Sequence, residues 1–437
     1  MPLLLSFAAI LLLILLIILV KLDTFISFLI VSIGLGLSRG MNAGQISASM
    51  VKGIGSTLGS LVIILGFGAM LGRLVAESGA AQRITSSMTD LFGTRYIQWG
   101  MALAGLIVGI PMFYTAGFVV VIPLIFAIGS TMRLPLLYIG VPMLAALSVA
   151  HGFLPPHPSP TAISLMLHAN LGKTLIYGII VAIPAIILAG PVFGSTLKRF
   201  KPVPNPEILR VQTRPKSELP GLGISLTAAL MPLILLTLTT SAGYFFHTGI
   251  LGNVIAFIGD PNMAMLISVL MAIYLLGIRR NLSMSKVMKQ IDEAFKGISV
   301  LLLIIAGSGV FMQVMSDAGV DVYIGNTLKG MHLSPLILAW AIAAIIRICI
   351  GSATVAGLTT VGIILPLVQQ QHIHPELMVL SIGAGSLMFS HVNDGGFWLF
   401  KEYFNLSLRD TFATWSLMET IVSFTGLAGV LVLNHFI

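Results

Sequence analysis

Charge is what this sequence has least of. Only 9% of its 437 residues are Asp, Glu, Lys or Arg and 57% are hydrophobic, where a soluble domain carries about 25% charged residues. That shortage excludes a water-soluble globule, a disordered chain and a coiled coil. A single cysteine, Cys349, excludes disulfides and cysteine metal sites. No G-x-x-x-x-G-K-S/T loop is present, so no nucleotide-driven step is encoded, and no H-E-x-x-H set or paired nucleophile motif points to a hydrolase. The net charge of +8 comes from Lys and Arg dispersed among loops, which argues against a nucleic-acid partner.

What is there is apolar runs. At about 20 residues per crossing, the sequence predicts an all-α polytopic membrane protein with ten crossings, near 2–20, 23–38, 53–76, 135–170, 174–196, 221–246, 262–278, 298–316, 375–400 and 411–436. The first run lacks a basic n-region and a small-residue cleavage site, so it reads as a membrane helix rather than a signal peptide. Two more apolar stretches, 97–131 and 334–369, are too long for one crossing and broken at Gly109-Ile110-Pro111 and Gly351-Ser352. Each is expected to be a re-entrant hairpin, and irregular backbone at membrane depth is tolerated only against protein or a water-filled cavity.

The polar segment 198–220 holds Lys198, Arg199, Lys201, Arg210, Arg214 and Lys216, which the positive-inside rule places in the cytoplasm. Alternation outward from it puts eighteen Lys and Arg inside and four outside, with both termini outside. The same segment divides the chain into 1–197 and 221–437, each with five crossings and one hairpin. Gly66, Gly68, Gly79, Ala116-Gly117, Pro123-Leu124 and His151 recur as Gly307, Gly309, Gly319, Ala356-Gly357, Pro366-Leu367 and His391, at separations of 240–243. Five is odd, so the second half should be inverted, with broken helices meeting at the midplane as in secondary transporters.

Chemistry is expected at the breaks. His151-Gly-Phe-Leu-Pro-Pro-His157-Pro-Ser159-Pro-Thr161 carries four prolines in six residues, which no helix interior accepts. The matching place reads Ser390-His391-Val-Asn393-Asp394-Gly-Gly, where Gly395-Gly396 is expected to do the breaking. The hairpin tips, with Thr115 in the first and Ser352 and Thr354 in the second, should add hydroxyls and helix N-termini that suit a carboxylate. Thr115, His157, Ser159, Thr161, Arg347, Ser352, Thr354, Asn393 and Asp394 are therefore candidate substrate-binding residues. Ionisable residues at membrane depth are functional candidates by default, and His151, His391, Asp394 and Glu419 are the candidates for proton coupling, Asp394 foremost. Arg347 is either a carboxylate clamp or the partner of Asp394 or Glu419. Glu419 is a proton relay or such a partner.

At His151–Thr161, Ser390–Phe404, LGKTLIYG and WSLMETIVS the chain resembles the gluconate permease family of gluconate:proton symporters, within the ion transporter superfamily. The resemblance runs nearly end to end. It implies import of gluconate or a related sugar acid with protons across a bacterial inner membrane, without a bound cofactor, by a homodimer of two inverted halves. Relatives with these motifs carry other hydroxylated carboxylates, D-serine among them, and often bear an acid where this chain has Thr115. A passive anion channel is the alternative class.

Overall fold

Backbone N–H and C=O groups inside lipid have no water to bond, so a chain this apolar must satisfy them within helices. The computed structural model describes residues 2–200, 202, 214–243, 245–246, 248–319, 334–370 and 373–437, and among these the regular structure is all helical. Lys201, Arg210, His247, Lys329, His332 and His372 lie outside the described residues, as do the side chains of Thr115, Pro366 and Leu367.

The first half contains α1 (Pro2–Ile18), α2 (Thr24–Ser38), α3 (Ala43–Glu77), α4 (Ala80–Phe92), α5 (Ile97–Gly109), α6 (Tyr114–Met132), α7 (Leu136–Phe153), α8 (Pro158–Met166) and α9 (Leu171–Ile187). The second contains α10 (Leu222–Gly243), α11 (Gly249–Gly259), α12 (Pro261–Ala272), α13 (Met284–Asp317), α14 (Pro335–Ile350), α15 (Ala353–Gln370), α16 (Pro375–Ser386), α17 (Gly395–Phe404) and α18 (Leu417–Phe436). Polar residues start several of them. Asn42 and Gln45 form a reciprocal capping box on α3, and Asp23, Ser283 and Asp260 accept backbone N–H groups at the starts of α2, α13 and α12.

Among the described residues, six helical runs are long and apolar enough to cross a membrane: Leu136–Met166, Leu171–Arg199, Leu222–Gly243, Pro261–Arg280, Met284–Asp317 and Leu408–Phe436. A seventh is α3, bent by 43° between Ala43–Gly59 and Leu61–Glu77. The chain is thus a polytopic helical membrane protein. The other three segments read as crossings fall on the shorter α1 and α2 and on the interrupted pair α16 and α17.

The run α7–α8 is the axis of the molecule: 83% of its most apolar stretch is buried, against 28% for α10. Four short interruptions flank it. Residues 110–113 separate α5 from α6, 154–157 separate α7 from α8, 351–352 separate α14 from α15, and 387–394 separate α16 from α17. Only Pro155 and Pro156 of the four prolines sit in a break. Pro158 and Pro160 lie in the first turn of α8, where a missing N–H has no intrahelical partner to lose. Gly395 and Gly396 likewise begin α17 rather than breaking it. The chain turns earlier, through Phe389 at φ +43.

The most extensive helix contact among the described elements joins α3 to α13. It is made possible by paired glycines, since a Cβ on Gly53 would stand 2.5 Å from the Gly309 carbonyl oxygen. Gly53→Val is expected to cost about 1–3 kcal/mol through overpacking and to lower the unfolding temperature in detergent. Gly34→Ala, where a Cβ would meet nothing within 4 Å, should leave that temperature unchanged or raised.

Candidate functional site

The interruptions place polar groups where the helices no longer use their own. At the end of α14, Gly351 adopts φ +84, a left-handed turn that glycine takes at no steric cost. A Cβ there would lie 2.2 Å from the Asn393 carbonyl oxygen. The tip of α14–α15 therefore seats directly against the 387–394 break.

Three of the carbonyls at that tip, those of Ile348, Cys349 and Gly351, have donors from the break or from α14 itself. Asn393 Nδ2 donates to the carbonyls of Ile348 (2.8 Å) and Cys349 (3.1 Å), and His391 Nε2 donates to Ile348 (2.8 Å). Arg347 donates through Nη1 to the Gly351 carbonyl and through Nη2 to Asp394 Oδ2 at 2.5 Å. Asp394 also accepts from Ser390 Oγ and, at 3.0 Å, from the Gly396 N–H, so it caps α17 as well. Arg347 and Asp394 are 4% and 18% exposed, which makes this a largely buried ion pair.

The segment after α17 completes this side. Residues Phe412–Ser416 form one π-helical turn before α18, a device frequent at functional sites. From it Trp415 Nε1 donates to Ser390 Oγ (2.7 Å) and Ser416 Oγ to the Ser390 carbonyl (2.5 Å). One turn on, Glu419 is 2% exposed. Its Oε1 accepts from Ser148 Oγ on α7, and its Oε2 has no partner.

These groups line one cavity of about 1400 Å³. Its inner wall carries Tyr114, Ser148, His151, Arg347, Ser352, Thr354, Asn393, Asp394, Trp415 and Glu419, and it runs out to Arg73, Gln82, Arg214 and Glu293. Arg73 and Glu293 are about 40% exposed and form an ion pair at its mouth. Ser352 Oγ accepts the Val355 N–H (3.3 Å) and so marks the start of α15 on the cavity wall.

Of the residues singled out from sequence, Arg347, Ser352, Thr354, Asn393, Asp394, His151 and Glu419 meet at this cavity. His157, Ser159, Thr161 and His391 are not among the residues that line it. His157 is 1% exposed and its Nε2 donates to the Gly109 carbonyl at the end of α5 (2.6 Å), with its ring 5.5 Å from that of His151. Ser159 and Thr161 are buried in α8, and their hydroxyls have no protein partner. His391 serves the α14 carbonyl and packs on Phe389. Thr115 is the second residue of α6, one place after cavity-lining Tyr114. Ser148, Tyr114 and Trp415 are not singled out by the sequence, because none carries a charge or an imidazole at membrane depth or lies at a break expected from Pro or Gly. Among the described residues no cluster of metal ligands occurs.

Residues 1–436 match the family described as GntP family permease. The chain belongs to that family. It is 47% identical over 439 residues to the high-affinity gluconate transporter of Escherichia coli (strain K12), covering all of both chains. The gluconate permease of Bacillus subtilis (strain 168) is 46% identical, and the L-idonate transporter of the Gnt-II system of Escherichia coli is 45% identical, each covered over 99% of both chains. In fold, this permease is similar to the YdaH transporter of Alcanivorax borkumensis, with a TM-score of 0.68 at 15% identity over 94% of this chain and 97% of that one. MtrF of Neisseria gonorrhoeae gives 0.62 at 13% identity, over 89% and 83%. The permease is a membrane transporter, not an enzyme.

Removing one partner of a buried ion pair costs about 3–5 kcal/mol, whereas replacing both with apolar groups is often neutral. Arg347→Met alone should therefore lower thermal stability sharply. Arg347→Met with Asp394→Leu should recover most of it while remaining inactive, as read by thermal shift and uptake on the same preparations.

Proposed function

We propose that this permease is a secondary transporter that imports gluconate or a closely related sugar acid with protons across a bacterial inner membrane. The observation that carries this is Arg347, a cation at the wall of a deep cavity beside the starts of α15 and α17. A carboxylate there meets a guanidinium and two helix N-termini, all of which favour negative charge. Ser352, Thr354 and Asn393 line the same wall and match the hydroxyls of a sugar acid. A substrate built only of carboxylate and hydroxyls needs this kind of wall. The relatives named for gluconate and L-idonate support the same substrate class.

The two halves support an inverted repeat, 1–197 and 221–437, on either side of a cytoplasmic 198–220 segment. In each, a long helix (α3, α13) precedes a hairpin-like pair (α5–α6, α14–α15) and an interrupted helix (α7–α8, α16–α17). The pairs fit the two re-entrant hairpins. The cavity runs out beside Arg73, Gln82 and Arg214, the side that the basic residues assign to the cytoplasm. This supports an inward-facing state, to which the proposal adds both termini outside and a homodimer as the assembly.

An anion entering alone against an inside-negative potential loses about 2.3 kcal/mol per 100 mV, so accumulation needs a coupled cation, a role this proposal gives to protons. Uptake of gluconate by cells or proteoliposomes should saturate, accumulate above equilibrium, and collapse with a protonophore. Accumulation that persists under protonophore would refute the proton step, and non-saturating flux would favour a channel. Ser352→Ala and Thr354→Val should each raise KM about 3–10-fold, the loss of a net hydrogen bond worth about 1 kcal/mol, with L-idonate and D-serine as competitors to rank substrates.

A further inference from the structure

Five carboxyl groups line the cavity. Glu77, Glu293 and Glu402 are exposed and each paired with an Arg or Lys, and the two largely buried ones, Asp394 and Glu419, have surroundings that differ in kind. Asp394 accepts from Arg347, Ser390 and the Gly396 N–H. Three donors, one of them cationic, bond its two oxygens, and through one of them it caps α17. Glu419 has one hydroxyl donor, Ser148, and one buried oxygen with no partner. An ionised carboxylate left that way is uncompensated in a low-dielectric site. A protonated one is not.

The other titratable groups around Glu419 supply no second cation. Tyr114 of α6, His151 of α7, Arg347 of α14 and Asp394 of the 387–394 break line the same cavity, and Arg347 is already committed to Asp394. The helices α9 and α16 also pack against α18. Their titratable residues are Lys173, Tyr177 and Glu376, none of which lines the cavity.

We propose that Glu419, positioned by Ser148, takes up the coupling proton, while Asp394 stays ionised as the fixed partner of Arg347. The assignment rests on proton symport and moves the carrier from Asp394, expected from sequence, to Glu419. An anionic substrate at Arg347 and an ionised Glu419 repel one another across one cavity, so binding of the anion favours the protonated acid. By linkage the proton favours the anion equally. Glu419 takes its proton from water on the loading side and returns it to water on the releasing side once the anion has left. Ser148 donates to Oε1 and leaves Oε2 as the site of protonation.

The test uses the purified full-length protein in liposomes, with gluconate as substrate and an internal pH dye. The wild type should accumulate gluconate on an imposed pH gradient with a matching proton signal. Glu419→Gln, which mimics the protonated acid, should lose that accumulation and signal more than 20-fold. Its gluconate counterflow, which needs no net proton movement, should stay within about three-fold of wild type. Asp394→Asn should instead lose counterflow together with accumulation. Glu419→Gln that still accumulates gluconate with a proton signal would overturn the assignment, as would loss of its counterflow along with uptake in a folded protein. If Glu419→Gln does not fold, Ser148→Ala carries the test. With the donor to the carboxylate gone, its pH profile of accumulation should move to higher pH by half a unit or more, and an unmoved profile would overturn the proposal. Accumulation by the wild type without any proton signal would refute symport itself, a failure distinct from that of Glu419.

Discussion

A helix stopped at membrane depth leaves carbonyl oxygens that neither lipid nor water will satisfy, and the rest of this structure follows from how those oxygens are bonded. At the end of α14 they are taken by the very segment that interrupts α16–α17. Asn393 and His391 serve Ile348 and Cys349, and Arg347 bonds Gly351 and then Asp394. Neither break would be tolerable alone. Together they form one bonded unit of the hairpin tip, the ion pair and the start of α17.

The first half solves the same problem with fewer charges. His157, at the break between α7 and α8, donates to the Gly109 carbonyl at the end of α5. In both halves a side chain from the interrupted helix thus caps the first arm of the neighbouring pair. The correspondence is physical rather than a matter of matching letters: wherever an apolar helix ends early beside an interrupted one, the exposed backbone of each is the nearest available partner for the other.

Much of the architecture is visible in the amino-acid sequence because prolines and long apolar runs act locally. Pro155-Pro156 cannot continue a helix, and α7 ends just before them. Arg347 and Asp394 could be singled out because charge in an apolar run demands a partner, although which partner depends on tertiary contact. The second break was misplaced by a few residues. Gly395-Gly396 has the composition of a breaker, yet the turn is made at 387–394, where Ser390 is held by Trp415 and Ser416 from a distant π turn. Such long-range bonds leave no local pattern. The same holds for Ser148, an ordinary serine on an apolar helix until α18 brings Glu419 against it.

The buried charge is distributed unequally between the two halves. Buried ion pairs contribute little net stability, since desolvation offsets most of their attraction. Packing alone therefore gives no reason for an arginine and an aspartate where apolar residues of similar volume would hold the same helices. Around the first pair the corresponding work is done by a neutral ring and by apolar residues such as Met112, which is fully buried. The cation that an anion needs stands only on the second pair, with Asp394 keeping it from being an uncompensated charge when the cavity is empty. On the proposed function, recognition of a carboxylate falls to the second half. The first half, through α7, contributes Ser148, which donates to the buried Glu419 carboxyl that Arg347 does not pair with.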